Sequence, residues 1–335
     1  MTLIIQPAFP SYRSSLFNRI NDEFCDVEFL EIRHRNLSAI QSNTNKFSVQ
    51  KADFVNKPLY GNLFLIYQLI RKHDRVILFG NLNIWQVWFI IFLTKIFRRK
   101  LLIWTQVLKK IKFNFKGFIK TFVFLICDNL YLYTDLELQR IPRFIRRKSI
   151  SLNNGLDTSA ISKFRERNMH SKTRFLSVGR FTEKSGMDWL ISCFEKTDYE
   201  LHVIGVDEQE VGMRLDNIHL HGVLVDEEQI SKIANTCTGF VYGGNVGLSL
   251  IHGMAYGLPP VIHSNIEEHM PEVAAFLELD GGYTFLKGNS EDLLRVLDSL
   301  VSNDNSVISK NCIDIVDDKY NIESMYKKFK MGLEI

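Results

Sequence analysis

At 335 residues the chain exceeds what one small core supports, and two domains of ordinary size are the natural expectation. A composition of 46% hydrophobic and 24% charged residues excludes a disordered chain, and five scattered cysteines without a C-x-x-C pair argue against a disulfide framework or a zinc site and for a reducing compartment. The net charge of +3 hides an asymmetry: residues 98–148 hold thirteen Lys/Arg against three Asp/Glu, so the remainder sums to −7.

The chain opens on "TLIIQP" with no basic flank or cleavage site, so no signal peptide is expected. In the first half, strands are predicted at Leu3–Gln6, Val27–Ile32, Arg75–Phe79, Leu101–Thr105, Leu130–Tyr133 and Ser149–Leu152. Helices are predicted at Leu63–Lys72 and Trp85–Phe97. The most apolar run, residues 84–97, is shorter than the roughly twenty residues a bilayer requires and contains Lys95. In the basic region, "KKIKFNFKGFIKTFVFLIC" (109–127) interleaves lysines with apolar residues. This pattern suits an anionic membrane surface better than a duplex groove, and it equally fits a core helix with a solvated face.

The polar segment 153–172 reads as a domain connection. Strands follow at Arg174–Val178, Glu200–Ile204, Ile218–His221, Gly239–Tyr242 and Pro260–His263. Helices alternate with them at Ser185–Phe194, Glu227–Asn235 and Gly247–Tyr256. Short apolar runs separated by amphipathic helices mark parallel sheets covered on both faces. Two such series give two doubly wound α/β domains, 1–155 and 156–317, with a last helix near 318–335 expected to pack back on the first.

The residues that carry chemistry cluster in the second half. In "TGFVYGGNVGLSLIHGMAYGLPPVIHS" (238–264) a strand runs into a glycine turn and then a helix. Backbone N–H groups at Gly247, Leu248 and Ser249 would meet a phosphate with the positive end of the helix dipole. In "FLSVGRFTEKSGMDWLI" (175–191), Gly179 ends a strand, and Arg180 and Lys184 follow on the loop. A guanidinium fork and an ammonium suit a leaving diphosphate.

These stretches, with "SLNNGLDT" at the linker and the looser N-terminal "PAFPSYRSSLFNRI", "LLIWTQ" and "LYLYTDLELQRI", resemble the retaining glycosyltransferases of family 4, which have the GT-B fold. The resemblance implies a nucleotide-sugar donor in the second domain and an acceptor mainly in the first, expected to be a saccharide, lipid-linked or otherwise membrane-proximal. It also implies sugar transfer with retention and without an obligatory metal; the transfer is expected to be of a hexosyl group, in the synthesis of a surface polysaccharide such as O-antigen or of another glycoconjugate. The expected place is the cytoplasm, peripheral on the inner membrane face through 109–120, with no nucleic-acid partner. Arg180 falls on the family's diphosphate-binding arginine. The partner lysine's place is Ser185, one residue beyond Lys184. Donor contacts are further expected from Gly179, Gly205, Gly244 and Asn245.

The chain departs from the family pattern where two glutamates are usual. Aligned on "VGLS" and "GMAYGLP", those places are Gly244 and His252. Gly244 offers only backbone groups, whereas His252 can still hydrogen-bond a ribose hydroxyl, or serve as a core histidine. In the first domain, Gln106 stands where relatives often carry a histidine. It cannot act as a base but can position a hydroxyl, compatible with a departing phosphate taking the acceptor proton. Tyr12 and Arg13 follow the first strand, where Arg13 can meet an acceptor phosphate or simply be solvated.

Histidines at metal-ligand spacing, a G-x-S-x-G elbow and a Walker loop are absent from the sequence. Glu272 is expected to complement a helix dipole. Two other functions share the two-domain plan: a sugar-nucleotide epimerase, and a non-catalytic descendant that binds a sugar nucleotide or a membrane. The epimerase needs more acids around the site than the sequence assigns.

Overall fold

The computed structural model describes residues 1–33, 46–107, 114–166, 173–212 and 216–334. They form two units: Met1–Asn153 with Ile322–Ile335, and Asn154–Asn321.

The first unit is built on strands β1 (Thr2–Gln6), β2 (Val27–Arg33), β3 (Val49–Asp53), β4 (Arg75–Phe79), β5 (Lys100–Thr105), β6 (Asn129–Leu132) and β7 (Ser149–Ser151). They pair in parallel in the order β3-β2-β1-β4-β5-β6-β7. Helices α1 (Ser14–Glu23), α2 (Leu59–Lys72), α3 (Trp85–Ile96), α4 (Phe115–Ile126), α5 (Asp135–Leu138) and α6 (Arg143–Arg146) connect them. Period-two alternation sorts the strand side chains into two cores. Leu3, Ile5, Val76, Leu78, Leu101 and Ile103 face α2, α3 and α4. Ile4, Ile77, Leu102 and Trp104 face α1 and the C-terminal helix Ile322–Glu334.

That last helix is held by close backbone approach. Tyr131 donates its hydroxyl to the Phe329 carbonyl at 2.7 Å and stacks on the Phe329 ring at 5.2 Å. A Cβ at Gly332 would fall 2.4 Å from the Tyr131 ring, so only glycine permits the contact.

The second unit contains α7 (Ser159–Phe164), β8 (Arg174–Val178), α8 (Met187–Phe194), β9 (Glu200–Ile204), α9 (Glu208–Val211), β10 (Ile218–Leu220) and α10 (Glu227–Ala234). It continues through β11 (Gly239–Val241), α11 (Leu248–Ala255), β12 (Pro260–His263), α12 (Val273–Glu278), β13 (Tyr283–Phe285), α13 (Ser290–Ser302) and α14 (Ser306–Lys319), before α15 (Ile322–Glu334) returns to the first unit. Its sheet, β10-β9-β8-β11-β12-β13, is again parallel throughout.

Part of the expected connection 153–172 is structured: α7 packs against α10 with Ile161 buried. Among the described residues no helix is long and apolar enough to cross a membrane. Lys109, Lys110 and Lys112 lie outside the described residues.

Candidate active site

Both sheets reverse strand order once, between β1 and β4 and between β8 and β11. Ligands bind doubly wound sheets outside the carboxyl ends of the strands at such points, and each unit has a pocket there.

In the second unit the pocket, about 380 Å³, is lined by Arg180, Lys184, Ser185, Tyr242 and Asn245, with Thr182 and Glu183. Two loops build it, after β8 and after β11, and they lock together through backbone. Asn245 N donates to the Lys184 carbonyl at 2.9 Å. A Cβ at Gly244 would lie 2.4 Å from the Lys184 carbonyl oxygen and 2.7 Å from Gly186 N. The glutamate usual at this position in the resembling family therefore has no room here, which gives a steric reason for the glycine.

Arg180 and Lys184 are exposed on the pocket rim. Ser185 is buried and committed to its own turn: its hydroxyl donates to the Thr182 carbonyl at 2.6 Å and accepts from Thr182 N at 3.1 Å. Gly205 is likewise committed. Its φ is +99°, and its N–H donates to the Gly222 carbonyl at 2.6 Å, so it shapes the turn after β9.

The helix α11 begins at Leu248 with Gly247 as its N-cap; Leu250 N donates to the Gly247 carbonyl at 3.0 Å, and the Leu248 and Ser249 N–H groups have no intrahelical acceptor. The preceding loop is pinned from the far side. Val246 N donates to His269 Nδ1 at 3.1 Å, and His269 Nε2–H donates to the His263 carbonyl at 2.9 Å. That pair of bonds fixes the His269 tautomer. Burial and the adjacent His269 ring push His263 down to about 4, so it is neutral at pH 7 and bonds Asn245 Oδ1 at 3.3 Å.

His252 is paired. Its Nε2 lies 2.9 Å from Glu227 Oε1, and Tyr256 donates to the same oxygen at 2.5 Å. Burial would raise the Glu227 carboxyl, but the bonds from His252 and Tyr256 outweigh it and hold the group below its ordinary range. Among the described residues nothing bonds the second oxygen, Oε2. The buried Glu272, at the start of α12, accepts from Asn154 Nδ2 at 2.5 Å on Oε1, and its Oε2 lies 3.8 Å from where a Cβ on Gly247 would be. Glu227 and Glu272 thus bring carboxylates to α11 from neighbouring segments. No local spacing in the sequence links Glu227 to His252, 25 residues away.

In the first unit a pocket of about 680 Å³ opens at the ends of β1, β4, β5 and β6, and Tyr12, Arg13 and Gln106 all line it. Arg13 is not solvated, as one expectation had it. It is 5% exposed, with its guanidinium 4.8 Å from the Trp104 ring and 5.0 Å from Tyr133. Lys120 also lines this pocket, donating from Nζ to the Gln106 carbonyl at 3.2 Å, and burial lowers its pKa. It therefore leaves the membrane-facing stretch of the sequence reading and joins the site. Beneath the pocket, buried Glu137 accepts from the backbone N–H of Val107, of Tyr133 at 2.6 Å and of Thr134 at 2.9 Å, tying the loop after β5 to the start of α5.

Residues 172–303 match the family described as Glycosyl transferases group 1. No curated protein matches the chain in sequence. Among solved structures, Anabaena HepE in complex with UDP and glucose superposes with a TM-score of 0.69 at 13% identity, over 100% of this chain and 99% of that one. A glycosyltransferase from Rickettsia africae gives 0.68 at 15% identity, over 99% and 97%. The UDP-GlcNAc 2-epimerase of Methanocaldococcus jannaschii shares the fold more distantly, at 0.59 and 12% identity, over 100% of both chains. The chain has the GT-B fold, and its residues 172–303 match the group 1 glycosyltransferase family.

Proposed function

We propose that this chain is a retaining glycosyltransferase that moves a hexosyl group from a nucleotide-sugar donor, held by the second unit, to an anionic, lipid-linked saccharide held by the first. The observation that carries this reading is the convergence of Arg180, Lys184 and Asn245 on one pocket at the β8/β11 switch. The UDP and glucose bound by HepE favour a uridine diphosphate sugar.

In this mechanism the bond from the sugar's anomeric carbon to the diphosphate breaks while the acceptor oxygen bonds to the same face. The acceptor proton passes to the departing diphosphate oxygen. Arg180 and Lys184 stabilise the charge that grows on the leaving group, together with the Leu248 and Ser249 N–H groups. Gln106 orients the acceptor hydroxyl, and no side chain acts as base. Glu227, presented by His252, accepts from the ribose hydroxyls through Oε2, and Glu272 meets the donor sugar beside Gly247. Gly179, Ser185, Gly205 and Gly244 shape the donor loops without side-chain contact. Arg13 and Lys120 give the first pocket positive charge for an acceptor phosphate or diphosphate, with Tyr12 at its rim.

The lipid-linked acceptor is supported by the outer face of α4. Phe115, Phe118, Phe122 and Leu125 are each at least half exposed, following the helix as an apolar ridge beside Lys116, and in the sequence they come just after Lys109, Lys110 and Lys112. Isolated exposed apolar residues are ordinary, but a contiguous aromatic ridge beside a basic run fits insertion at an anionic membrane surface, here the cytoplasmic face of the inner membrane.

The test is incubation with a panel of UDP-, GDP- and dTDP-sugars, following products. Slow donor hydrolysis, or transfer to a lipid diphosphate saccharide, is the expected outcome. Epimerised sugar nucleotide, or binding without turnover, would replace this reading with the epimerase or the inactive descendant.

A further inference from the structure

Away from both pockets, the edge of the second sheet carries a cluster the proposed reaction does not use. Strand β10 is the edge strand and pairs in parallel with β9, setting His219 opposite His202. Because side chains alternate along a strand, Glu200 and His202 share one face of β9, and His219 in β10 shares a face with His221, the residue just after the strand, whose N–H still donates to the Val203 carbonyl at 2.9 Å. Glu200 Oε2 lies 3.6 Å from His202 Nε2 and 3.5 Å from His219 Nε2. One ligand atom from each of the three residues falls within 4.8 Å of the others. On the other side of the ring, His202 Nδ1 lies 3.0 Å from His221 Nε2. His202 Nε2 is buried and has no hydrogen-bond partner.

When the His202 Nδ1–H donates to His221, the His202 Nε2 carries a lone pair facing the carboxylate oxygen, an unfavourable facing of two acceptors. A cation between them resolves it. Tetrahedral zinc with bonds of about 2.0–2.1 Å sets its ligand atoms about 3.3 Å apart, close to the two spacings to Glu200. Two imidazoles and one carboxylate suit a borderline d-block ion, whereas magnesium and calcium require oxygen ligands. An outer partner on the second ring nitrogen is the usual support for a metal-binding histidine.

We propose that Glu200, His202 and His219 form a binding site for a divalent zinc-class ion, with His221 as the outer partner that orients the His202 ring. The ion clamps the three-residue strand β10 to β9, and a fourth position remains for water beside the partly exposed His219. Arg174 Nε, 2.9 Å from Glu200 Oε2, neutralises the carboxylate in the metal-free protein and yields or shares it when the ion binds. The site is independent of sugar transfer.

The test uses the full chain without a polyhistidine tag, stripped by chelator and dialysed against micromolar zinc chloride. One retained equivalent of zinc and a melting midpoint that rises with zinc concentration are expected. His219→Ala, at a partly exposed ring, should weaken zinc binding at least tenfold and remove the midpoint shift, and Glu200→Gln should act alike. His221→Ala should weaken binding about 10–100-fold without abolishing it. If His202→Ala fails to fold, the other variants still decide. No stoichiometric zinc in the wild type, or affinity unchanged in both His219→Ala and Glu200→Gln, overturns the proposal.

Discussion

The two pockets occupy the same place in two sheets of the same topology, yet they are made of different material. The pocket of the second unit is bounded by backbone: glycine turns pressed together at 243–245 and 184–186, an α11 N-terminus, and two cations on the rim. The pocket of the first unit is bounded by side chains held in place by packing, with Arg13 between Trp104 and Tyr133 and Lys120 folded in from α4. A backbone-built site tolerates almost no added atom but needs few particular side chains. A site built of side chains depends on which way each one is turned.

The largest effect follows from the backbone side of that contrast. Gly244→Glu restores the glutamate common in the resembling family, but its Cβ meets backbone atoms that cannot swing away. We expect a loss of about 3 kcal/mol or more, at the upper end for overpacking, and loss of donor binding. Normal melting and normal donor affinity in this variant would break the comparison.

On the rim, Arg180→Ala should lower turnover about 10²–10³-fold while changing the donor Kd far less, because the interaction grows as the diphosphate leaves. Lys184→Ala should do the same more mildly. Single-turnover rates with saturating donor measure this, and equal rates for Arg180→Ala and wild type would remove Arg180 from its role.

The first unit sharpens the contrast at its two helical layers. The layer of α1 and α15 buries Leu16, Phe17, Ile20, Met325, Phe329 and Leu333, whereas α4 leaves Phe118 and Phe122 at 70% and 50% exposure. An inserted phenylalanine contributes about 1.5–3 kcal/mol. Phe118→Ser with Phe122→Ser should therefore cut co-sedimentation with anionic vesicles at least tenfold and leave the melting midpoint unchanged. Binding should also fall as salt rises. Binding unaltered by either change leaves α4 without a membrane role.

The smallest effects concern the pair at α11. His252→Gln should keep most donor affinity, and His252→Leu should lose about 1–3 kcal/mol by leaving buried polar groups unpaired. His252→Glu restores the resembling family's acid and would set a second carboxylate beside Glu227, so it should bind donor worse than the glutamine variant. The Glu227 carboxyl is held below its ordinary range. Its stabilising contribution is therefore full above the unfolded value near 4.3, and it is lost as pH falls through the lower folded value. Melting curves of Glu227→Gln should show a shallower loss over that acid window than wild type. Identical acid limbs in the two proteins would mean that the carboxylate gains nothing from His252 and Tyr256.

What was legible in the sequence follows from what is local. Apolar runs such as Leu3–Gln6 and Arg174–Val178 are strands buried on both faces, so composition alone marks them and their alternation with helices implies two parallel sheets. The glycine turn before α11 and the cations after β8 are also local, since each is a chain of neighbouring residues whose backbone makes the feature. The strands that escaped notice, β3 and β13, lie at the edges of their sheets. They are short and half covered, and "VQKAD" and "YTF" carry no sustained apolar run.

Tertiary structure decided everything that depends on a partner distant in the chain. Lys120 belongs to the same basic run as Lys116, and only the packing of α4 against the sheet turns one into a pocket and leaves the other in solvent. Arg13 is sandwiched by rings from β5 and from the residue after β6. Glu227 reaches His252 across 25 residues, and Glu200 and His202 meet His219 only because β10 pairs with β9 in one register. Spacing along a chain reports a periodic backbone, which is why strands, helices and glycine turns can be read from it. Which side chains meet across a sheet depends on strand order and register, which are set by the whole packed core.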